Sequence, residues 1–209
     1  MSSQQPLDRL AHLLTEALAP RWAAPVALGL VAWHSAPTRR AALGWTLAAA
    51  ALSPSSPVMA FVDHQVRRGV ITDIHVGQRE QRAPVLALAG ISTLAAAGLL
   101  RAVGAPPALT ATLGTGLIAL IVVLGITLAW KISLHVGVLA GLTVVLIQLL
   151  GPSMLALAPL VAAVAWSRVH LGAHTVPQVL AGGLVGALVT GTVFRPLLSA
   201  FQKHDRRTL

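Results

Sequence analysis

Apolar runs of about 20 residues recur along this chain, each long enough to cross the hydrocarbon of a bilayer as a helix. No other feature narrows the choice of fold as much. Every backbone amide in hydrocarbon needs an internal partner, and helices are the economical way to supply it. Only 10% of the residues are Asp, Glu, Lys or Arg, against about 25% in a soluble domain. A soluble protein of 209 residues could not bury so many continuous runs in one core. The sequence therefore predicts an all-α, polytopic transmembrane helical bundle.

Seven segments carry the pattern: residues 10–36, 41–62, 85–103, 108–130, 133–150, 154–166 and 176–198. Pro20, Arg21 and Pro25 interrupt the first, which reads either as a span or as an interfacial helix followed by a short span. The count is six or seven accordingly. Ser53-Pro54-Ser55-Ser56-Pro57 marks a kink in the second segment. Gly104-Ala105-Pro106-Pro107 and Gly151-Pro152-Ser153 read as turns. Gly182, Gly183 and Gly186 in the last segment form a small-residue pattern that permits close helix packing. The chain reads as one integral-membrane domain over residues 1–209, with a basic tail over 200–209. Its start is amphipathic, with Asp8, Arg9, His12 and Glu16, and lacks the form of a cleavable signal peptide. There is no Cys, so thiol chemistry is excluded.

The net charge of +9 would suggest nucleic acid in a soluble protein. Here the basic residues lie mostly between apolar runs, so membrane lipids and topology explain them better, and no nucleic-acid partner is expected. The polar residues gather into three clusters: residues 63–82, 131–135 and 167–174. Two spans separate each consecutive pair, so all three belong on one side of the membrane. Between Glu80 and Asp205 there is no acid, yet Lys131 and Arg168 sit at the edges of apolar spans. A cation at that depth normally finds a partner. Asp63, Asp73 and Glu80 are too few for Arg67, Arg68, Arg79, Arg82, Lys131 and Arg168 together. A ligand phosphate would supply the missing charge, because guanidinium groups bind it in bidentate fashion. His135 and His174, each beside a cation and a hydroxyl, suggest nucleophilic and acid–base work on a phosphoryl group.

These residues carry a resemblance. Ser167-Arg168, five residues, His174, three residues and Gln178 is similar to the third signature of the type 2 phosphatidic acid phosphatase superfamily, S-R-x5-H-x3-D, with Gln178 at the Asp position. Ser133-x-His135 resembles the second signature, P-S-G-H, with Ile132 and Leu134 for Pro and Gly. His75 and Arg82 have the spacing of the first, K-x6-R-P, with His for Lys and the proline one residue late at Pro84. The resemblance covers roughly residues 63–186 and implies a phosphatase-like core over about 63–199. It implies a metal-independent lipid phosphate phosphohydrolase with no cofactor. His174 would attack phosphorus to form a phosphohistidine, His135 would protonate the leaving oxygen, and Gln178 would orient His174. Arg168, Lys131, Arg82, Arg79, His75, Ser133 and Ser167 would bind the phosphate. Phosphatidate, phosphatidylglycerol phosphate and polyprenyl (di)phosphates are all admissible substrates.

Other readings stay open at this point. A degenerate member would bind an anionic lipid without hydrolysing it, and a small transporter would also place cations in the membrane. His170 and His174, four apart, could share a helix face as metal ligands do, but no carboxylate or Cys lies nearby in sequence. Arg39, Arg40, Arg101, Arg195, Lys203, Arg206 and Arg207 lie opposite the three clusters, which places them in the cytoplasm and the clusters outside. A bacterial plasma membrane and a homodimeric partner are consistent with this reading.

Overall fold

The structure, a computed structural model, describes residues 4–208, and these form helices and turns with no strand. Helix α1 spans Gln4–Ala17, α2 Pro20–Ser35, α3 Arg39–Ala51, α4 Ser55–Arg67 and α5 Arg82–Ala102. They are followed by α6 Pro107–Ala129, α7 Leu134–Leu150, α8 Ala158–His170 and α9 Val176–Thr208. Five helical stretches are long and apolar enough to cross a membrane: Arg39–Arg67, Arg79–Ala102, Pro107–Ala129, Pro152–His170 and Val176–Arg207. Helix α7 is as apolar but shorter. Ile91, Leu128 and Leu180 are among many large apolar side chains left on the outside, as expected where lipid replaces water.

The sequence explains the breaks. Pro20 opens α2 at its first position, where a missing N–H costs nothing. It therefore divides the first apolar segment: α1 is a separate amphipathic helix, and α2 has 16 residues. That makes α2 about 24 Å long at 1.5 Å per residue, short of the ~30 Å hydrocarbon thickness. Residues 10–36 therefore hold two helices, the divided form, rather than one continuous helix. Residues 52–54 interrupt the second segment between α3 and α4, where the Ser-Pro run predicts a kink. Residues 200–208 are not a separate tail. They continue α9, whose Asp205 pairs with Arg101 at the end of α5.

Leu28, Val31, Leu100, Leu109 and Phe194 form the main core, between α2, α5, α6 and α9. Helices α7 and α9 approach more closely than ordinary side chains permit. A Cβ on Gly182 would strike the Ser133 carbonyl, and one on Gly186 would strike that of Gly137. On the other helix a Cβ at Gly137 would lie 2.9 Å from the Gly182 carbonyl oxygen. The small-residue pattern is thus a packing seam, and it sets the end of α7 that carries Ser133 and His135 against the start of α9.

Candidate functional site

The third cluster is shaped by a helix end. Helix α8 closes with Gly172 in the left-handed region, φ 64°. The Ala173 amide donates to the Arg168 carbonyl at 3.1 Å and the Gly172 amide to that of Val169 at 2.9 Å. This is the Schellman arrangement. The His174 amide also donates to the Arg168 carbonyl, at 3.1 Å, so the turn folds His174 back over Arg168. The five-residue gap between them is one helix terminus.

Helix α9 then starts with its own cap. The backbone N–H of Thr175 donates to Oε1 of Gln178 at 3.2 Å. Thr175-x-x-Gln178 is the back-bond of a capping box, for which Gln is an accepted residue. The same Oε1 lies 3.1 Å from Nδ1 of His174. A backbone amide can only donate, so the Gln178 atom it meets is the oxygen, and Nδ1 of His174 must carry the proton. Nε2 is left with the lone pair.

The three clusters meet. Arg82, 3% exposed, donates through Nε to the Val76 carbonyl and through Nη1 to the Ile132 carbonyl, each at 2.9 Å. That joins the first cluster to the second. Val76 itself sits at φ 50°, a strained conformation for a β-branched residue. Lys131 Nζ donates to the Ala173 carbonyl at 2.9 Å, and the Ser133 amide to the Gln178 carbonyl at 3.1 Å, joining the second cluster to the third. The rings of His75 and His135 meet edge to face, centroids 5.3 Å apart. A cavity of about 350 Å³ opens here, lined by Asp73, His75, Lys131 and Arg168. A second, apolar cleft of about 290 Å³ runs between the helices and reaches Ser133 and Arg21.

Electrostatics follow from this crowding of cations. Burial, with the charges of Arg82 and Lys131, pushes the His174 pKa down to about 3, against a smaller opposing effect of the Gln178 bond. Burial, then Arg82 and Arg168, lowers that of Lys131. For Asp73 burial acts to raise the pKa, but the amides of Gly77 and His75 and the Thr72 hydroxyl prevail and lower it. Among the described residues five buried polar atoms have no protein partner: Ser133 Oγ, His135 Nε2 and Arg168 Nε belong to these clusters, and Ser35 Oγ and Gln148 Oε1 lie outside them. Ser133 is the residue before α7, the usual capping position, yet its hydroxyl makes no cap.

Several residues named from sequence are engaged elsewhere. Arg79 donates to the carbonyls of Leu128 and Ala129, at 3.1 and 2.9 Å, and pairs with Glu80. It caps the end of α6 outside the cavity. Ser167 donates to the Val164 carbonyl at 2.8 Å and lies 3.1 Å from the Thr15 hydroxyl, so it serves packing. Asp63 pairs with Arg67 one turn away. Of the three acids counted from sequence, Asp73 alone lines the cavity. His170 bonds Asp8 and stacks on Trp166, which removes it from His174 as a joint metal ligand. Among the described residues no group of three or more His, Asp or Glu side chains is placed to hold a metal ion.

The sequence reading expected an amphipathic start but gave α1 no part in the site. Glu16 bonds His75 at 2.7 Å and pairs with Arg21, while His12 and Thr15 line the cavity. The only available signal was the amphipathic pattern of the first 20 residues, which does not say where a helix docks.

No family model, curated protein or solved structure matches the chain.

Proposed function

We propose that the protein is a lipid phosphate phosphohydrolase with a core of the type 2 phosphatidic acid phosphatase kind, acting through a phosphohistidine on His174. The observation that carries this reading is the set of orphaned polar atoms on Ser133, His135 and Arg168. Each is buried, and a buried polar group without a partner costs about 1–3 kcal/mol. Arg168 lines the polar cavity with Lys131 and Asp73, Ser133 lines the apolar cleft, and the His135 ring meets that of His75 in the cavity wall. A phosphoryl group, with its several acceptor oxygens and negative charge, would satisfy them together.

The chemistry is an in-line displacement. Nε2 of His174 attacks phosphorus, and the bond to the lipid oxygen breaks. His135, taken to the imidazolium form by the bound phosphate dianion, donates its Nε2 proton to that oxygen and is left neutral. Arg168, Lys131 and the Ser133 hydroxyl hold the phosphoryl oxygens as charge develops on them. Gln178 keeps the His174 proton on Nδ1. The apolar cleft that reaches Ser133 suits an acyl or polyprenyl tail, so phosphatidate, phosphatidylglycerol phosphate and polyprenyl (di)phosphates remain the substrate classes. Six or seven spans in a bacterial plasma membrane, with the site on the outer side, complete the reading.

Gln178 favours a second reading. It bonds His174 but brings no negative charge to stabilise an imidazolium, and a site that only binds anionic lipid would tolerate that. The test is phosphate release from these lipids by purified protein, with and without a chelator. Chelator-resistant release abolished by His174→Ala is expected. Tight binding of phosphatidate with no release by the wild type would establish the second reading instead.

A further inference from the structure

Helix α1 is amphipathic in the reverse of the usual sense. Ala11 and Thr15 are buried, and exposed Asp8 and His12 and half-buried Glu16 share that side at helical spacing, Asp8 reaching His170, His12 the cavity and Glu16 His75. Leu7, Leu10 and Leu13 face outward. The inward polar side makes specific links. Asp8 bonds His170 at 2.8 Å, and the Thr15 hydroxyl lies 3.1 Å from that of Ser167. Glu16 uses both oxygens, Oε1 on Nε2 of His75 at 2.7 Å and Oε2 on Arg21. The second link of this carboxylate is to a residue of the apolar cleft, and the first to a residue of the polar cavity.

The bond to Glu16 sets the state of His75. A carboxylate only accepts, so Nε2 of His75 carries hydrogen and Nδ1 is the basic atom of the neutral ring. This is the arrangement in which a carboxylate orients a histidine for proton abstraction. His75 therefore differs from the lysine that the first signature would place there. Burial and the charge of Arg168 lower its pKa, and Glu16 opposes them without overcoming them, which favours the neutral ring. Its ring and that of His135 stand edge to face, centroids 5.3 Å apart.

We propose that Glu16 and His75 form the base of the second half-reaction, hydrolysis of the phosphohistidine, with Glu16 as the positioning residue. This rests on the phosphatase reading. Water attacks phosphorus and loses a proton to Nδ1 of His75. The P–O bond forms, and the P–N bond breaks with its electron pair returning to Nε2 of His174. The proton then leaves His75 to bulk water, and His135 regains from water the one it gave to the leaving oxygen in the first half-reaction. Every group ends as it began. The carboxylate missing from the third signature is thus matched by one that α1 delivers to a different histidine.

The experiment uses the full chain in detergent micelles with phosphatidate labelled in its phosphate, quenched in alkali, which spares phosphohistidine. Wild type is expected to turn over with little label on the protein. Glu16→Gln and His75→Gln are expected to lower steady-state release by roughly 10²-fold or more, while label accumulates on the protein. A variant that cannot fold would form no phosphoenzyme, so accumulation also reports an intact first step. Asp8→Asn, which loosens the same helix away from the cavity, is expected to behave as wild type. Wild-type turnover by Glu16→Gln and His75→Gln, or slow turnover without accumulated label, would overturn the assignment while leaving the phosphatase reading standing. A wild type that neither releases phosphate nor takes up label would remove both.

Discussion

Gln178 lies 3.1 Å from Nδ1 of His174 and closes the cap of α9 with the same oxygen. One amide thus fixes a helix start and a histidine tautomer together. Gln178→Leu is expected to destabilise the α9 terminus by about 0.5–2 kcal/mol and to lower phosphate release about 10²-fold, measured as melting temperature and kcat. Gln178→Asp keeps an acceptor and adds charge, and turnover should hold or rise. A large loss with Asp would show that the amide hydrogens have a role of their own.

Arg168 Nε is a buried donor without a partner. Arg168→Ala is expected to lower kcat/KM by about 10²–10³-fold and to weaken binding of inorganic phosphate or vanadate. Arg168→Lys should recover little of it, because an ammonium does not reproduce the planar fork. Full recovery by Lys would mean that charge alone is used.

Arg79 gives the opposite result if its place is as described. Its guanidinium caps α6 rather than the cavity. Arg79→Ala should cost about 0.3–1 kcal/mol of stability and leave KM for lipid phosphate unchanged. A KM raised tenfold would return Arg79 to the binding group.

The seam between α7 and α9 has no room for a methyl group at Gly186. Gly186→Ala is expected to cost about 1–3 kcal/mol, as overpacking does. It should also displace Ser133 and His135 from α9, so activity should fall in the fraction that remains folded. Gly191, whose Cβ would meet nothing, is the matched control. Equal melting temperatures for Gly186→Ala and Gly191→Ala would argue against the close approach.

His174 takes up a proton near pH 6.5 when the chain is unfolded, but only near pH 3 when it is buried among cations. The unfolded state binds more protons in that window, so stability is greatest above about 6.5 and declines as the pH falls toward 3. Melting temperatures between pH 7 and 4.5 should show this decline, and His174→Gln should flatten it. An unchanged slope would place the acid sensitivity on other groups.

The spans were legible because a run of about 20 apolar residues has one economical use in a bilayer. Parity gave the expectation that the three clusters share a side, since two crossings return a chain to its side, but not the contacts of Arg82 and Lys131 that join them. The pairing of Gln178 with Thr175 was also open to reading as a capping box. Arg79 was not, because nothing local reveals that a guanidinium will reach the end of a helix some 50 residues on. Glu16 was hidden for a related reason. In water an amphipathic helix docks by its apolar side, whereas α1 docks by its polar one.

Arg82 ends the first polar loop with its guanidinium fastened to the carbonyls of Val76 and Ile132. Its position is therefore decided when the chain folds and before any ligand arrives. A cation on a free side chain would have to be gathered in by each incoming anion and would lose entropy every time. Arg82 presents a standing field instead, and the strained backbone of Val76 is the mechanical counterpart of that readiness.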